Sequence, residues 1–144
     1  MAIKNLDSFQ RKLAKRLQAN PLENSKRAVT RGTLVVRNHA VDSILRGAKS
    51  GIIYEKYEPR RTHQSSRAGE APASDTGFLA SQITSNVKTM PDGSVVGQII
   101  SAAPYSKHLE FGTTNMMARP FMQPALNKNR KKITKIFIDE GVIT

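Results

Sequence analysis

Leu6, Phe9, Leu13 and Leu17 recur at spacings of three and four, with Arg11, Lys12, Lys15 and Arg16 between them. That period predicts an amphipathic helix with a basic outer face. Asp7 followed by Gln10 has the capping-box spacing that would start it. Asn20-Pro21-Leu22-Glu23 repeats the start signal, because Asn caps, Pro is tolerated at the first helical position and Glu reaches back to the cap. Leu22, Val29, Val36, Ala40, Ile44 and Leu45 then carry a helical stripe to about Arg46, where Gly47 offers a stop. Gly32 weakens this second helix without ending it.

Beyond Gly51 the pattern changes. Ile52 to Glu58 is rich in strand formers and is closed by Pro59, which predicts a strand or an extended arm. Pro59 to Asp75 combines Arg60, Arg61 and Arg67 with Ser, Gly, Ala and Pro and holds almost nothing apolar, so an irregular, mobile loop is expected in an isolated subunit. Loops of that length tend to be functional or to order against a partner. This one is a candidate assembly arm, with Tyr54, Tyr57, Arg60, Arg61 and Arg67 as its contact residues.

Asp75-Thr76-Gly77-Phe78-Leu79 reads as a cap leading into a short helix through about Gln82, with Phe78, Leu79 and Ile83 turned inward. Ile83 to Met90 and Ser94 to Ala102 flank Pro91-Asp92-Gly93, a strong signal for a hairpin at the centre of a small antiparallel sheet. Pro104 opens a short helix holding Tyr105, His108 and Leu109, and Gly112 ends it. A last helix begins near Pro120 or Pro124 and runs to about Asp139, with Phe121, Leu126, Ile133, Ile136 and Phe137 as its apolar positions and Lys128 to Lys132 outside. Pro124 fits only in its first turn.

These elements predict an α+β fold in one domain over residues 1–144: a basic helical segment at 1–47, a strand and flexible arm at 48–75, and a sheet-and-helix core at 76–144. The C-terminal helix is expected to pack on the sheet.

Composition sharpens this picture. The hydrophobic share of 38% and the absence of Trp leave little for a large core, so neighbours are expected to complete part of the surface. A formal charge of +12 disfavours compaction unless the charges are spread out or face an anionic partner, whether nucleic acid, an acidic protein surface or a membrane surface. The cations gather before Arg67 and again between Arg119 and Lys135. Without cysteine there is no disulfide or thiolate metal site. The first residues lack a signal-peptide core and no apolar run reaches bilayer length, so a soluble protein made in the cytosol is expected.

Two segments carry a resemblance. Arg67-Ala68-Gly69-Glu70-Ala71-Pro72 continues to Thr76-Gly77-Phe78-Leu79, and Tyr105-Ser106-Lys107-His108-Leu109-Glu110-Phe111-Gly112-Thr113 continues through Met117-Ala118-Arg119-Pro120-Phe121-Met122 to Pro124-Ala125. Together they resemble the tail-completion, or head-tail joining, family of long-tailed bacteriophages. The resemblance covers about the second half of the chain. It implies a compact α+β subunit of the virion neck that forms a ring, commonly a hexamer, with no catalysis and no cofactor. Its implied partners are the tail terminator or tail tube protein and the head connector or stopper, with DNA passing through the lumen without sequence specificity and no membrane. Tail terminators and head-closure rings share this location and habit; tail completion is the reading favoured. The motif positions Gly77, Leu79, Tyr105, Leu109, Glu110, Phe111, Gly112, Thr113, Ala118, Arg119, Pro120, Phe121 and Pro124 are its candidate packing and interface residues.

Within that motif, Gly112 would permit a sharp reversal anchored by Phe111, leaving Glu110 either to pair with Arg119 or to sit with it as a solvated surface charge. His39, His63 and His108 share no metal-binding spacing, and neither a nucleophile elbow nor a phosphate loop is present. Lys12, Lys15, Arg16, Lys26, Arg27 and Arg31 are candidate contacts for DNA or for an acidic partner, or form a merely solvated face. The competing reading of the whole chain is a small basic DNA-binding protein.

Overall fold

The computed structural model describes residues 20–143 and, before them, Asp7, Ser8, Gln10, Arg11 and Lys12, which are helical and exposed. Leu6, Phe9, Leu13 and Leu17 of the expected first helix, and the cations Lys15 and Arg16, lie outside the described residues.

Helix α1 spans Pro21–Leu45. Asn20 caps it as expected, its side chain accepting a hydrogen bond from the Leu22 N–H at 3.2 Å, with Pro21 at the first position and Glu23 in the first turn. Ala28, Gly32, Thr33, Val36, Ala40 and Ile44 are its buried residues. Two layers use that stripe. On one side lies a hairpin of β3 (Ile83–Thr89) and β4 (Val95–Ser101), antiparallel with Ile83 opposite Ser101 and Thr89 opposite Val95. On the other lies the C-terminal helix, named α4 below, over Met122–Asp139.

The α+β class and the hairpin agree with the sequence reading. The C-terminal helix packs chiefly on α1 and not on the sheet, so α1 is the middle layer. Gly32 faces Ile133 at this contact, but an added Cβ would lie 3.5 Å from that side chain, an ordinary contact, so the spacing of the two helices does not require the glycine. Leu126, expected inward, is 40% exposed, because the buried face of the last helix runs through Ala125, Asn129 and Ile136. The hairpin is also the whole of its sheet and not the centre of a larger one.

A second antiparallel hairpin joins β1 (Ile53–Tyr57) to β2 (Arg60–Gln64), with a cis Glu58–Pro59 peptide at its tip. The strand at Ile53–Tyr57 is as expected. Pro59 to Asp75 is not one irregular loop, because its first residues pair with β1, Tyr57 opposite Arg60 and Ile53 opposite Gln64. Composition missed β2 because Arg60, Arg61, Thr62, His63 and Gln64 bury little; backbone pairing holds them, with only His63 half-buried.

Short helices α2 (Phe78–Ser81) and α3 (Ser106–Phe111) bracket the β3–β4 hairpin. Val36, Ala40, Ile44, Leu79, Ala80, Ile83, Ala103, Phe121 and Ala125 form one core between these elements. Phe78 is 47% exposed and does not join it.

The sheet meets α1 at Gly97, where an added Cβ would collide with the Thr33 hydroxyl and stand 2.9 Å from Val29 Cγ1. Thr33 cannot easily retreat, since it is buried and its hydroxyl donates to the Val29 carbonyl at 2.6 Å. Gly97→Ala is therefore expected to destabilise the fold by about 1–3 kcal/mol through overpacking. Urea unfolding checks it: a lower midpoint at unchanged slope is expected, and an unchanged midpoint would refute the close contact.

Candidate functional site

The motif from Tyr105 to Pro124 folds into one knot. Helix α3 ends at Gly112, which has φ +76°, the left-handed region where glycine is favoured. A Cβ there would also strike the Met116 carbonyl oxygen at 2.8 Å and the Ala118 nitrogen at 2.9 Å. The chain then turns through a bridge in which the Thr113 N–H donates to the Met116 carbonyl at 2.7 Å. It returns so that the Arg119 N–H reaches the Leu109 carbonyl at 2.7 Å, while the Ala118 carbonyl accepts from the Gly69 N–H at 2.9 Å.

Glu110 closes the knot. Its carboxylate accepts from the backbone N–H groups of Phe121 at 2.8 Å, Met122 at 3.0 Å and Gln123 at 2.8 Å. These are the first donors of α4, which have no intrahelical partner, and the next residue, Pro124, has no N–H to satisfy. A carboxylate at the positive end of a helix is also favoured by the helix dipole. Neither alternative for Glu110 holds: it does not pair with Arg119 and it is not a solvated charge. Local sequence could not show this, because the cap lies eleven to thirteen residues away and not in the turn before the helix.

Phe111 is not the anchor of the reversal. It is 75% exposed, and Met117 nearby is 74% exposed. Phe121 anchors instead, buried to 1% at the mouth of α4. Leu79 is buried and Leu109 half-buried against the same core. Gly77 has φ +77° at the start of α2. Tyr105 stands on the surface beside Phe78, with ring centroids 6.3 Å apart.

Arg119 has lost the partner expected for it. The residue is half-buried, its Nη1 meets Met116 Sδ at 3.9 Å, and its buried Nε has no hydrogen-bond partner. It lines a cleft of about 300 Å³ between the foot of the β1–β2 hairpin, the segment leading into α2, and α3.

The arm is tethered at two places, close to its turn and at its foot. Asp75, expected as a helix cap, instead takes a hydrogen bond from Lys56 and pairs with Arg61 at 2.7 Å, with His63 Nδ1 at 3.9 Å. Ser74 and Thr76 do the local work at the α2 entrance, accepting from the Gly77 and Phe78 N–H groups. The Lys56 hydrogen bond and the flanking cations hold the Asp75 carboxyl below its ordinary value. Glu70 is a second tether: the Ser50 hydroxyl, the Arg67 N–H and the Ser50 N–H hold its carboxyl down to about 2. Lys49 spans from the Ser43 carbonyl to the Ala71 carbonyl, and burial pushes its pKa down.

The exposed remainder of the arm is apolar and basic. Ile52, Ile53, Tyr54 and Tyr57 are 67%, 64%, 50% and 72% exposed, and Arg60 and Arg67 are exposed beside them. Of the candidate anion contacts on α1, Lys26 pairs with Glu23, while Arg27 and Arg31 both pair with Glu140 at the end of α4. Lys12 is exposed. A different cationic surface emerges on α4, where Lys128, Lys131, Lys132 and Lys135 are exposed and in no ion pair among the described residues. The described residues contain no group of three metal-capable side chains, and none of their helices is long and apolar enough to cross a membrane.

Glu110→Ala is expected to cost about 2 kcal/mol of stability, as charge-assisted bonds to three donors at the start of α4 are lost. Glu110→Gln keeps an acceptor oxygen and costs less. In a double-mutant cycle by urea unfolding, Glu110 and Arg119 should show no coupling; coupling above about 0.5 kcal/mol would restore the discarded ion pair.

Set against family models, curated proteins and solved structures, the chain matches none.

Proposed function

We propose that this chain is a structural, non-catalytic virion protein of a tailed bacteriophage. It forms a ring at the head-tail interface, completes the tail and joins it to the head connector. One observation supports this reading most. Among the described residues, the core holds eleven buried hydrophobic side chains, only six of them larger than alanine, while seventeen large hydrophobic side chains are exposed. Single exposed apolar residues are ordinary, but four of these stand together on one two-stranded hairpin that no other strand covers. Such a hairpin has little stability of its own and gains most from being packed by a neighbour. The motif that carries the phage resemblance is the same stretch that builds the Gly112 and Glu110 knot.

Electron microscopy of particles assembled with and without the protein tests the reading. Full heads and finished tails that remain separate without it, and join when it is added back, are expected. Normal virions in its absence would refute a joining role.

A second reading, a sequence-independent DNA-binding protein, is favoured by one feature of α4. Lys128, Lys131, Lys132 and Lys135 follow the spacing of a single helical face, and no acidic residue occurs from Phe111 to Ile138. Lysine is depleted in protein interfaces, and four of them along one face suit a row of phosphates. On this reading, duplex binding measured by fluorescence anisotropy weakens steeply with salt. Replacing all four lysines by Gln lowers the log–log salt slope by about 3–4. Absence of binding at low salt would remove this reading.

A further inference from the structure

The cleft at the foot of the β1–β2 hairpin holds a guanidinium without a counter-charge. Arg119 forms no ion pair among the described residues, and its buried Nε has no hydrogen-bond partner. Glu110, the acid nearest in sequence, is committed to the first turn of α4. Asp75, the one acidic side chain lining the cleft, is held by Lys56 and Arg61. The cleft's one carboxylate is thus already shared by two cations from the hairpin, which leaves Arg119 without one. A half-buried cation left unpaired is costly, and the surplus charge attracts a second carboxylate from outside. The rim is aromatic, with Phe78 and Tyr105 47% and 43% exposed.

We infer that this cleft is the socket for the β1–β2 hairpin tip of a second copy of the chain, with Glu58 pairing with Arg119 and Tyr57 packing on the Phe78 and Tyr105 rings. The inference rests on the ring reading above. Glu58 is exposed at the tip, forms no ion pair among the described residues, and adjoins Tyr57, which is 72% exposed. Other exposed acids fit less well: Asp92 holds Ser94 in its own turn, Glu55 accepts from the Tyr57 hydroxyl at 3.4 Å, Asp42 lies within α1 and Asp139 ends α4. The chain's own tip leaves the socket open: Asp75 holds Lys56 and Arg61, one residue pair before the turn, yet Glu58 is exposed and neither it nor Arg119 forms an ion pair among the described residues. Because tip and socket are different surfaces, each copy offers both to its neighbours. Such head-to-tail contacts close into a ring when the rotation permits. An aromatic beside a paired arginine also matches the residue types that dominate interface energies.

Native mass spectrometry and light scattering of the full chain test this with charge reversal. Glu58→Arg, a change at an exposed tip, should leave the circular dichroism unchanged and raise the concentration needed for assembly by at least ~tenfold. The double variant E58R/R119E should restore assembly. A photo-crosslinker replacing Tyr57 should join to a peptide containing Phe78 or Tyr105 of an isotopically distinct copy, a readout that does not depend on the Arg119→Glu variant folding. Assembly of E58R equal to wild type, or crosslinks to other surfaces, would overturn the pairing. A wild-type chain that stays monomeric at every concentration would overturn it too. The ring reading would then still face its own test in the joining of heads to tails, so the two can fail separately.

Discussion

A single carboxylate, that of Glu110, organises the C-terminal half of the molecule. By taking three backbone N–H groups at the start of α4, it fixes where that helix begins and which way it leaves the loop. Phe121 is then delivered to the core with 1% exposure, and Ala125, one turn on, meets the same cluster. The cap works only because Gly112, in the left-handed region, turns the chain sharply enough for the end of α3 to face the start of α4. Spending Glu110 in this way is also what leaves Arg119 without an internal anion.

Around that fixed end, α1 serves as the spine. One of its faces carries the β3–β4 hairpin and another carries α4, and Gly97 lets the strand rest on Thr33 and Val29. Arg27 and Arg31, reaching Glu140, tie the far end of α4 to the first turns of α1. These exposed pairs add little stability individually, yet they orient the helix from the end opposite to Glu110.

The rest of the molecule faces outward. Glu70 tethers the foot of the β1–β2 hairpin and Asp75 grips the Lys56–Arg61 pair near its turn, while Ile53, Tyr57 and Glu58 stay exposed. Charged groups thus fix the direction of the hairpin and apolar groups are left for contact. In the proposed ring, each subunit would bury through its neighbours the surface that its own small core cannot cover.

What the sequence by itself determined were the elements governed by local rules. The start of α1 followed from Asn20 and Pro21, the β3–β4 hairpin from Pro91-Asp92-Gly93, and the end of α3 from Gly112. Each signal acts within a few residues, through dihedral preference or a nearby hydrogen bond. The tertiary structure alone decided the pairing of β2, the partner of Glu110, the role of Asp75, the exposure of Phe111 and the packing of α4 on α1. All of these join groups distant along the chain or depend on which face a neighbour covers. A carboxylate, a strand of polar residues or an exposed phenylalanine reads the same in sequence whatever it meets, and only the fold supplies what it meets.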